Sequence, residues 1–165
     1  MKKILFLAMM CLASTFLHSR IFEVCLYGEK QFTTIQCAIN KATVGDTILV
    51  HPGVYRENLR INFIDKNSPI PFTLQSLYAV NNDQKYIQNT VISGMPDRSA
   101  ISIVGYYSGF SDFRTVTNVV INGFTIMNNK DGIAFYSRLS GGGINIYATN
   151  AVIKNNIIRN CIAGY

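Results

Sequence analysis

The C-terminal half of the sequence lacks the apolar periodicity of amphipathic helices. Between Val91 and Cys161, no stretch carries apolar residues at positions i, i+3, i+4 and i+7 over the roughly ten residues that a helix needs. This absence argues against repeats built from pairs of helices. After the apolar run at positions 4–16, no second apolar segment is long enough to cross a membrane, so no membrane span is predicted beyond it.

Clustered charge is also absent. The 15 Lys and Arg residues outnumber the 9 Asp and Glu residues, but the basic residues are scattered, so nucleic-acid binding is not predicted. The sequence has no adjacent pair of aspartates and no acids at a spacing that would stack them on one face. No cysteine spacing is typical of a metal site. A mildly basic surface suits an acidic polysaccharide or an anionic cell envelope, or is an ordinary solubility feature.

The amino terminus has the features of a secretory signal peptide. Lys2 and Lys3 precede an apolar core that is too short to span a bilayer. Ala13, Ser14 and Ser19 are each small enough to be its last residue, and we take residues 1–19 as the signal. Its removal takes away two lysines and no acid, so the formal charge falls from +6 to +4. The sequence therefore predicts a secreted or cell-surface domain over residues 20–165.

Three cysteines remain after this processing, namely Cys25, Cys37 and Cys161. Three thiols cannot all pair within one molecule. A Cys25–Cys37 disulfide is compatible with an exported protein. The favoured interpretation is that Cys37 and Cys161 are small buried apolar residues.

A pattern of β-branched residues followed by an Asn/Gly corner occurs twice, 32 residues apart, at positions 118–129 and 150–161. A fainter third copy occupies residues 89–94. Repeats of this length indicate one structural unit stacked on the next. Strands that recur in one direction without crossover helices pair by coiling, with a right-handed path. We therefore predict an all-β fold, a right-handed single-stranded parallel β-helix of about three to four coils. A β-sandwich with coincidental repeats is the alternative.

Further details of the coils follow from local patterns. Residues 33–42 form the one convincing helix, with Thr33 as N-cap, Gln36 completing a capping box, and Cys37 in a hydrophobic staple. The stripe that contains Ile35 and Ile39 predicts that this helix covers the open end of the first coil. Strands are predicted at residues 47–50, 58–61, 72–76, 100–104 and 143–147, a corner at 51–55, and a polar excursion at 78–88. Ile121, Ile126, Ile153 and Ile158 are expected to point inward. No closing element follows the last strand, which predicts an uncapped C-terminal end and the N-terminal coils of a longer solenoid.

Residues 32–39, 45–50 and 52–58 resemble the opening of secreted right-handed β-helix proteins of the pectate-lyase-like superfamily, and pectinesterases open in a similar way. Residues 72–78, 86–94, 123–126 and 141–144 are more similar to large bacterial secreted β-helix proteins of unassigned activity. Pectinesterases use two aspartates, an arginine and glutamines, and pectate lyases use clustered acids for Ca²⁺ with a basic residue. No segment here matches either set, so no catalytic residue is predicted.

The isolated polar residues favour structural roles. His51 lies in a corner without an adjacent nucleophile or orienting acid in the sequence, which is typical of a turn residue. Predicted loops contain the aspartates Asp65, Asp83, Asp97, Asp112 and Asp131. Residues 81–83 and 128–131 offer oxygen ligands for Ca²⁺, but Asn and Asp in turns usually serve backbone geometry. No metal or other cofactor is therefore predicted.

One loop does suggest a ligand. Its candidate carbohydrate-binding residues are Tyr106, Tyr107, Phe110, Asp112 and Arg114. Aromatic faces stack on sugar rings while nearby polar groups set their orientation, although the rings could instead cover an apolar flank. Two hypotheses follow: a non-catalytic module that binds or is displayed on polysaccharide or cell-envelope glycan, and the N-terminal part of a polysaccharide lyase or pectinesterase-like enzyme.

Overall fold

The computed structural model describes residues 19–62, 71–95, 98–105, 118–128 and 142–161. The strands are β1 (Ile21–Val24), β2 (Thr47–Val50), β3 (Gly53–Tyr55), β4 (Leu59–Asn62), β5 (Thr73–Ser76), β6 (Thr90–Gly94), β7 (Ile101–Val104), β8 (Val119–Asn122), β9 (Thr125–Asn128), β10 (Ile144–Tyr147), β11 (Ala151–Lys154) and β12 (Ile157–Arg159). The helices are α1 (Ile35–Ile39), α2 (Tyr78–Asn81) and α3 (Lys85–Asn89).

The strands form three sheets in which every neighbouring pair is parallel. Sheet A has the order β1-β2-β5-β8-β11, sheet B the order β12-β9-β6-β3, and sheet C the order β10-β7-β4. From β2 to β10 the described strands follow the order A, B, C. The coils β2–β4, β5–β7 and β8–β10 therefore each contribute one strand to each sheet, while β1 adds to sheet A and β11 and β12 add to sheets A and B. The predicted all-β parallel β-helix is therefore confirmed. The parallel pairing contradicts the β-sandwich alternative.

The two clear copies of the repeat stack on each other in the expected register. Ile153 lies opposite Ile121, and Ile158 lies opposite Ile126. The fainter third copy was aligned wrongly, because its strand β6 lies in sheet B beside β9 rather than in sheet A beside β8. In the second coil, the extra segment α2–α3 lies between the sheet A strand and the sheet B strand. The number of residues between similar sequence patterns therefore does not equal the length of one coil there.

Inward-facing side chains from the three sheets form one continuous core. Ile121 and Ile126 are fully buried, as predicted, and each contributes about 2 kcal/mol through burial. Ile153 is partly buried and packs against the core, whereas Ile158 is 51% exposed. Ile158 belongs to β12, the edge strand of sheet B, where no described strand stacks beyond it. The register supports the predicted inward alignment in both coils, but full burial is reached only in the coil beneath β12.

Equivalent corners of the two repeats use left-handed backbone. Gly123 has φ +88° and Asn155 has φ 54°, and both directly follow paired strands of sheet A. The side-chain amide of Asn155 donates to Asn122 Oδ1 at 2.9 Å, so these two asparagines join the corners of adjacent coils. Asn156 accepts from Phe124 N at 2.8 Å and donates to Ile121 O at 2.9 Å, so its side chain joins the two coils a second time.

We expect Gly123→Ala to lower the free energy of unfolding by about 2–3 kcal/mol, because an L-residue is strained at this φ and a Cβ would lie 2.7 Å from Ser76 Oγ. Urea denaturation measures the loss. Gly45→Ala is the matched control, since Gly45 has φ +83° but no atom lies within 4 Å of the position that a Cβ would occupy there. Equal losses in the two variants would contradict the close packing at Gly123.

Helix α1 covers the N-terminal end of the stack, as predicted, and contacts β1, β2 and β4. Ile35, Ala38 and Ile39 are buried in the core that includes Ile48 and Val50. The N-cap is Thr34 rather than Thr33; its hydroxyl accepts from Cys37 N at 3.4 Å. The predicted capping box and staple are wrong, because Cys37 is exposed and the Gln36 side chain contacts strand β4 instead.

The corner predicted at residues 51–55 of the first coil requires correction. Residues 53–55 form strand β3 rather than a corner, because Gly53 pairs with Thr90 and Tyr55 points into the core. The polar excursion at 78–88 contains the short helices α2 and α3, which lie against sheets A and B. The hydroxyl of Thr125 donates to Ile87 O at 2.9 Å and fixes α3 over sheet B.

Candidate functional site

The predicted carbohydrate-binding residues Tyr106, Tyr107, Phe110, Asp112 and Arg114 all lie outside the described residues. The same holds for Asp65, Asp97 and Asp131. Of the predicted loop acids, the structure describes Asp83, whose carboxylate forms an exposed ion pair with Lys85 at 2.8 Å. The site predicted from the sequence therefore stays a prediction.

The outer side of sheet C carries two rows of side chains that are polar or aromatic apart from one valine. We call this surface the sheet C face; its residues are Arg60, Asn62, Ser102, Val104, Asn145 and Tyr147. Apolar residues alternate with these side chains and point into the core, for example Leu59 and Ile103, which are fully buried. Since parallel strands lie about 4.8 Å apart, the three strands present a surface about 10 Å across.

The register aligns these residues across the strands. Arg60 lies opposite Ser102, which lies opposite Asn145. The second row places Val104 between Asn62 and Tyr147. Arg60, Asn62 and Tyr147 are exposed, with 53% of Tyr147 accessible to solvent.

Helix α1 holds the position of Arg60. The Gln36 side chain accepts from Arg60 N at 2.8 Å and donates to Arg60 O at 3.1 Å. This amide satisfies the free edge of β4 in the way that another strand would. The Arg60 backbone is therefore fixed, while its guanidinium extends to solvent.

The sheet C face combines groups suited to a neutral or anionic polar ligand. Arg60 supplies a permanent cation with several N–H donors. Asn62, Asn145 and Ser102 supply further donors and acceptors, and Tyr147 offers an exposed ring. No acid belongs to this face. Strand β7 ends at Val104, so the predicted aromatic segment begins two residues beyond this surface in the chain.

A second polar cluster lies at the N-terminal coil. Glu23 forms an ion pair with Lys30 at 2.9 Å, and its other oxygen lies 3.3 Å from His51 Nε2. The hydrogen bond from Lys30, with a smaller contribution from His51, holds the pKa of Glu23 below its usual value despite partial burial. His51 therefore has an orienting acid in space, which its sequence neighbours did not reveal. Glu23 is 28 positions away in the sequence.

Within the described ranges, no group of three or more His, Cys, Asp or Glu residues is close enough to hold a metal ion. None of the helices in the described part of the chain is both long and apolar enough to cross a membrane.

The burial of the cysteines differs from the favoured interpretation. Cys25, Cys37 and Cys161 are all free, so Cys25 and Cys37 are not joined by a disulfide. Cys25 is buried, Cys37 is exposed on α1, and Cys161 is partly buried. The interpretation of Cys37 and Cys161 as buried apolar residues is wrong, because Cys37 faces away from the core and Cys161 lies on the last described coil. Burial raises the pKa of Cys161.

The stacked parallel sheets with a helix over their first coil define a parallel β-helix protein. The chain belongs to the family described as Protein of unknown function (DUF1565), whose model matches residues 27–164. This family is associated with β-helix proteins. Comparisons with curated proteins and with solved structures gave no significant match.

Sequence reasoning missed the sheet C face, although a signal for it exists. The runs at 59–62 and 144–147 alternate apolar and polar or aromatic residues, and both were predicted as strands. Alternation alone identifies which side chains point outward. It does not show that Arg60, Ser102 and Asn145 share one row, because that requires the register of β4, β7 and β10.

Proposed function

We propose that this protein is a secreted or cell-surface β-helix module of the pectate-lyase-like type that binds polysaccharide without catalysing its cleavage. The observation that carries the proposal is the sheet C face, a surface with an exposed arginine on a fixed backbone, two amides and an exposed tyrosine ring. Rigid strands hold these groups in register. Polysaccharides present repeated hydroxyl groups and ring faces, and such a surface matches both.

The chemistry of the face favours binding over catalysis. Hydrolysis and β-elimination both need a proton acceptor or nucleophile beside a group that stabilises developing charge. The sheet C face has Arg60 as a cation, but none of its residues is a carboxylate, histidine or thiol. The Glu23–His51 pair lies at strands β1 and β2 of sheet A and not on sheet C. A uronate-containing glycan is the expected ligand class, because Arg60 pairs with carboxylates.

We expect Tyr147→Ala and Arg60→Ala each to weaken glycan binding about tenfold, which corresponds to about 1.4 kcal/mol per contact. A glycan array with acidic and neutral polysaccharides identifies the ligand, and calorimetry on the purified protein measures the change. Tyr27→Ala is the matched control, because Tyr27 is 78% exposed but lies outside sheet C. The loss of Arg60 should weaken the binding of acidic glycans more than the binding of neutral glycans.

Two further measurements separate the contributions of the strands and the loop. Replacement of Tyr106 and Tyr107 together by alanine tests the segment predicted from the sequence. Binding that survives this double change but not Tyr147→Ala assigns the site to the strands alone. A lyase and esterase assay on pectin-like substrates, with and without Ca²⁺, is expected to show no turnover. Turnover, or binding unaffected by both sheet C substitutions, would refute the proposed function.

A further inference from the structure

Residues 20–42 form a layer over the first coil, which we call the N-terminal cap. It consists of β1, the turn that follows, and α1, and its apolar residues Val24, Ile35 and Ile39 are buried. Beneath it lies the coil formed by β2, β3 and β4. Strand β1 is the edge strand of sheet A and pairs with β2. The edge of β2 is therefore covered only while the cap is in place.

Carboxylates hold this cap at three places. The first place is Asp46, which is 1% exposed. Its carboxylate accepts from Arg20 N at 2.9 Å and from Arg20 Nη2 at 2.9 Å, and Arg20 directly precedes β1. Glu23, near the C-terminal end of β1, contacts His51 of the first coil and also pairs with Lys30 within the cap. Glu57 accepts from Ile35 N at 2.9 Å and Gln36 N at 3.0 Å, which satisfies the first turn of α1.

We propose that the N-terminal cap is an acid-sensitive lid: protonation of Asp46 and Glu23 releases it from the first coil while the remaining parallel sheets stay folded. Within the described residues, these carboxylates have few charged partners. Arg20 faces Asp46, and Lys30 and His51 face Glu23; Glu29 and Cys25 lie near Lys30. A released cap uncovers the edge of β2, which then becomes available to pair with another chain.

The direction of the pH effect follows from these contacts. Burial raises the pKa of Asp46, but hydrogen bonds from Arg20 and Thr43 outweigh it and hold that pKa well below the usual range. Thr43 contributes its backbone N–H at 2.8 Å and its hydroxyl at 2.9 Å. A carboxylate with a depressed folded pKa stabilises the fold above its unfolded pKa of about 4 and loses this effect as the pH falls further. Release is therefore expected below about pH 4.

Cys25 provides a direct probe of release, because it lies in the cap and is 6% exposed. In a variant with Cys11, Cys37 and Cys161 replaced by serine, a disulfide reagent active in acid, such as dithiodipyridine, labels Cys25. At each pH, the labelling rate of Cys25 is divided by the labelling rate of free N-acetylcysteine, which removes the pH dependence of the reagent itself. We expect this ratio to rise about tenfold or more between pH 7 and pH 3, while the far-ultraviolet circular dichroism of the sheets is unchanged.

Variants test the assignment to these carboxylates. Asp46→Asn combined with Glu23→Gln should label rapidly already at pH 7, whereas Asp83→Asn, which removes an exposed acid outside the cap, should behave as the parent. If the double variant does not fold, Glu23→Gln alone should shift the labelling rise to higher pH. A ratio unchanged down to pH 3, a rise only when the sheets unfold, or slow labelling of the folded double variant would overturn the proposal.

Discussion

Replacement of Tyr55 by alanine is expected to lower the free energy of unfolding by about 3–5 kcal/mol, a large part of the stability of a domain of this size. Tyr55 is fully buried and is among the largest side chains in the core. It lies in the inward row of sheet B, opposite Ile92. Its removal would leave a cavity between the N-terminal cap and the second coil, because rigid stacked strands relax only partly around a lost ring.

Tyr55→Phe separates the ring from the hydroxyl. The hydroxyl donates to His51 O at 2.9 Å, and burial raises the pKa of Tyr55 to about 12. Because Tyr55→Phe removes one donated hydrogen bond, we expect it to lower the free energy of unfolding by about 1 kcal/mol. Equilibrium denaturation in urea, followed by circular dichroism, measures both variants. Similar losses for Ala and Phe would show that the hydroxyl, rather than the packing of the ring, stabilises this position.

The repeat between residues 118–129 and 150–161 was sufficient to predict the fold. Strands that stack on identical strands keep inward residues inward, so the pairing of Ile121 with Ile153 follows from the sequence spacing. The capping helix was also predictable, because Ile35, Ala38 and Ile39 form one apolar stripe. Local patterns determine these features.

Several of the contacts that sequence reasoning missed are long-range. Glu57 accepts from the N-terminus of α1 across 22 positions, and Gln36 contacts the β4 backbone across 24. Glu23 meets His51 only because β1 and β2 are adjacent in sheet A. No periodicity in the sequence encodes such pairs. The sheet C face has the same origin, since its rows exist only after β4, β7 and β10 are stacked in register.

Ile39→Asp is expected to unfold the cap and to destabilise the whole protein by several kcal/mol. Ile39 is 9% exposed and packs in the core that contains Ile48 and Val50. A carboxylate at this position would lose its hydration without a hydrogen-bonding partner, and an unpaired buried charge is costly. The substitution also removes the apolar contact that holds α1 on the first coil. The midpoint of thermal unfolding should therefore fall strongly at pH 7.

Cys37→Asp is the matched control for this change. Cys37 lies on the same helix, two residues before Ile39, but its side chain is exposed. Both variants add one negative charge to α1 and differ only in whether that charge faces the core. We expect Cys37→Asp to shift the unfolding free energy by less than about 0.5 kcal/mol, as surface substitutions do. Equal effects of the two substitutions would mean that α1 does not bury Ile39 against the first coil and is not a cap.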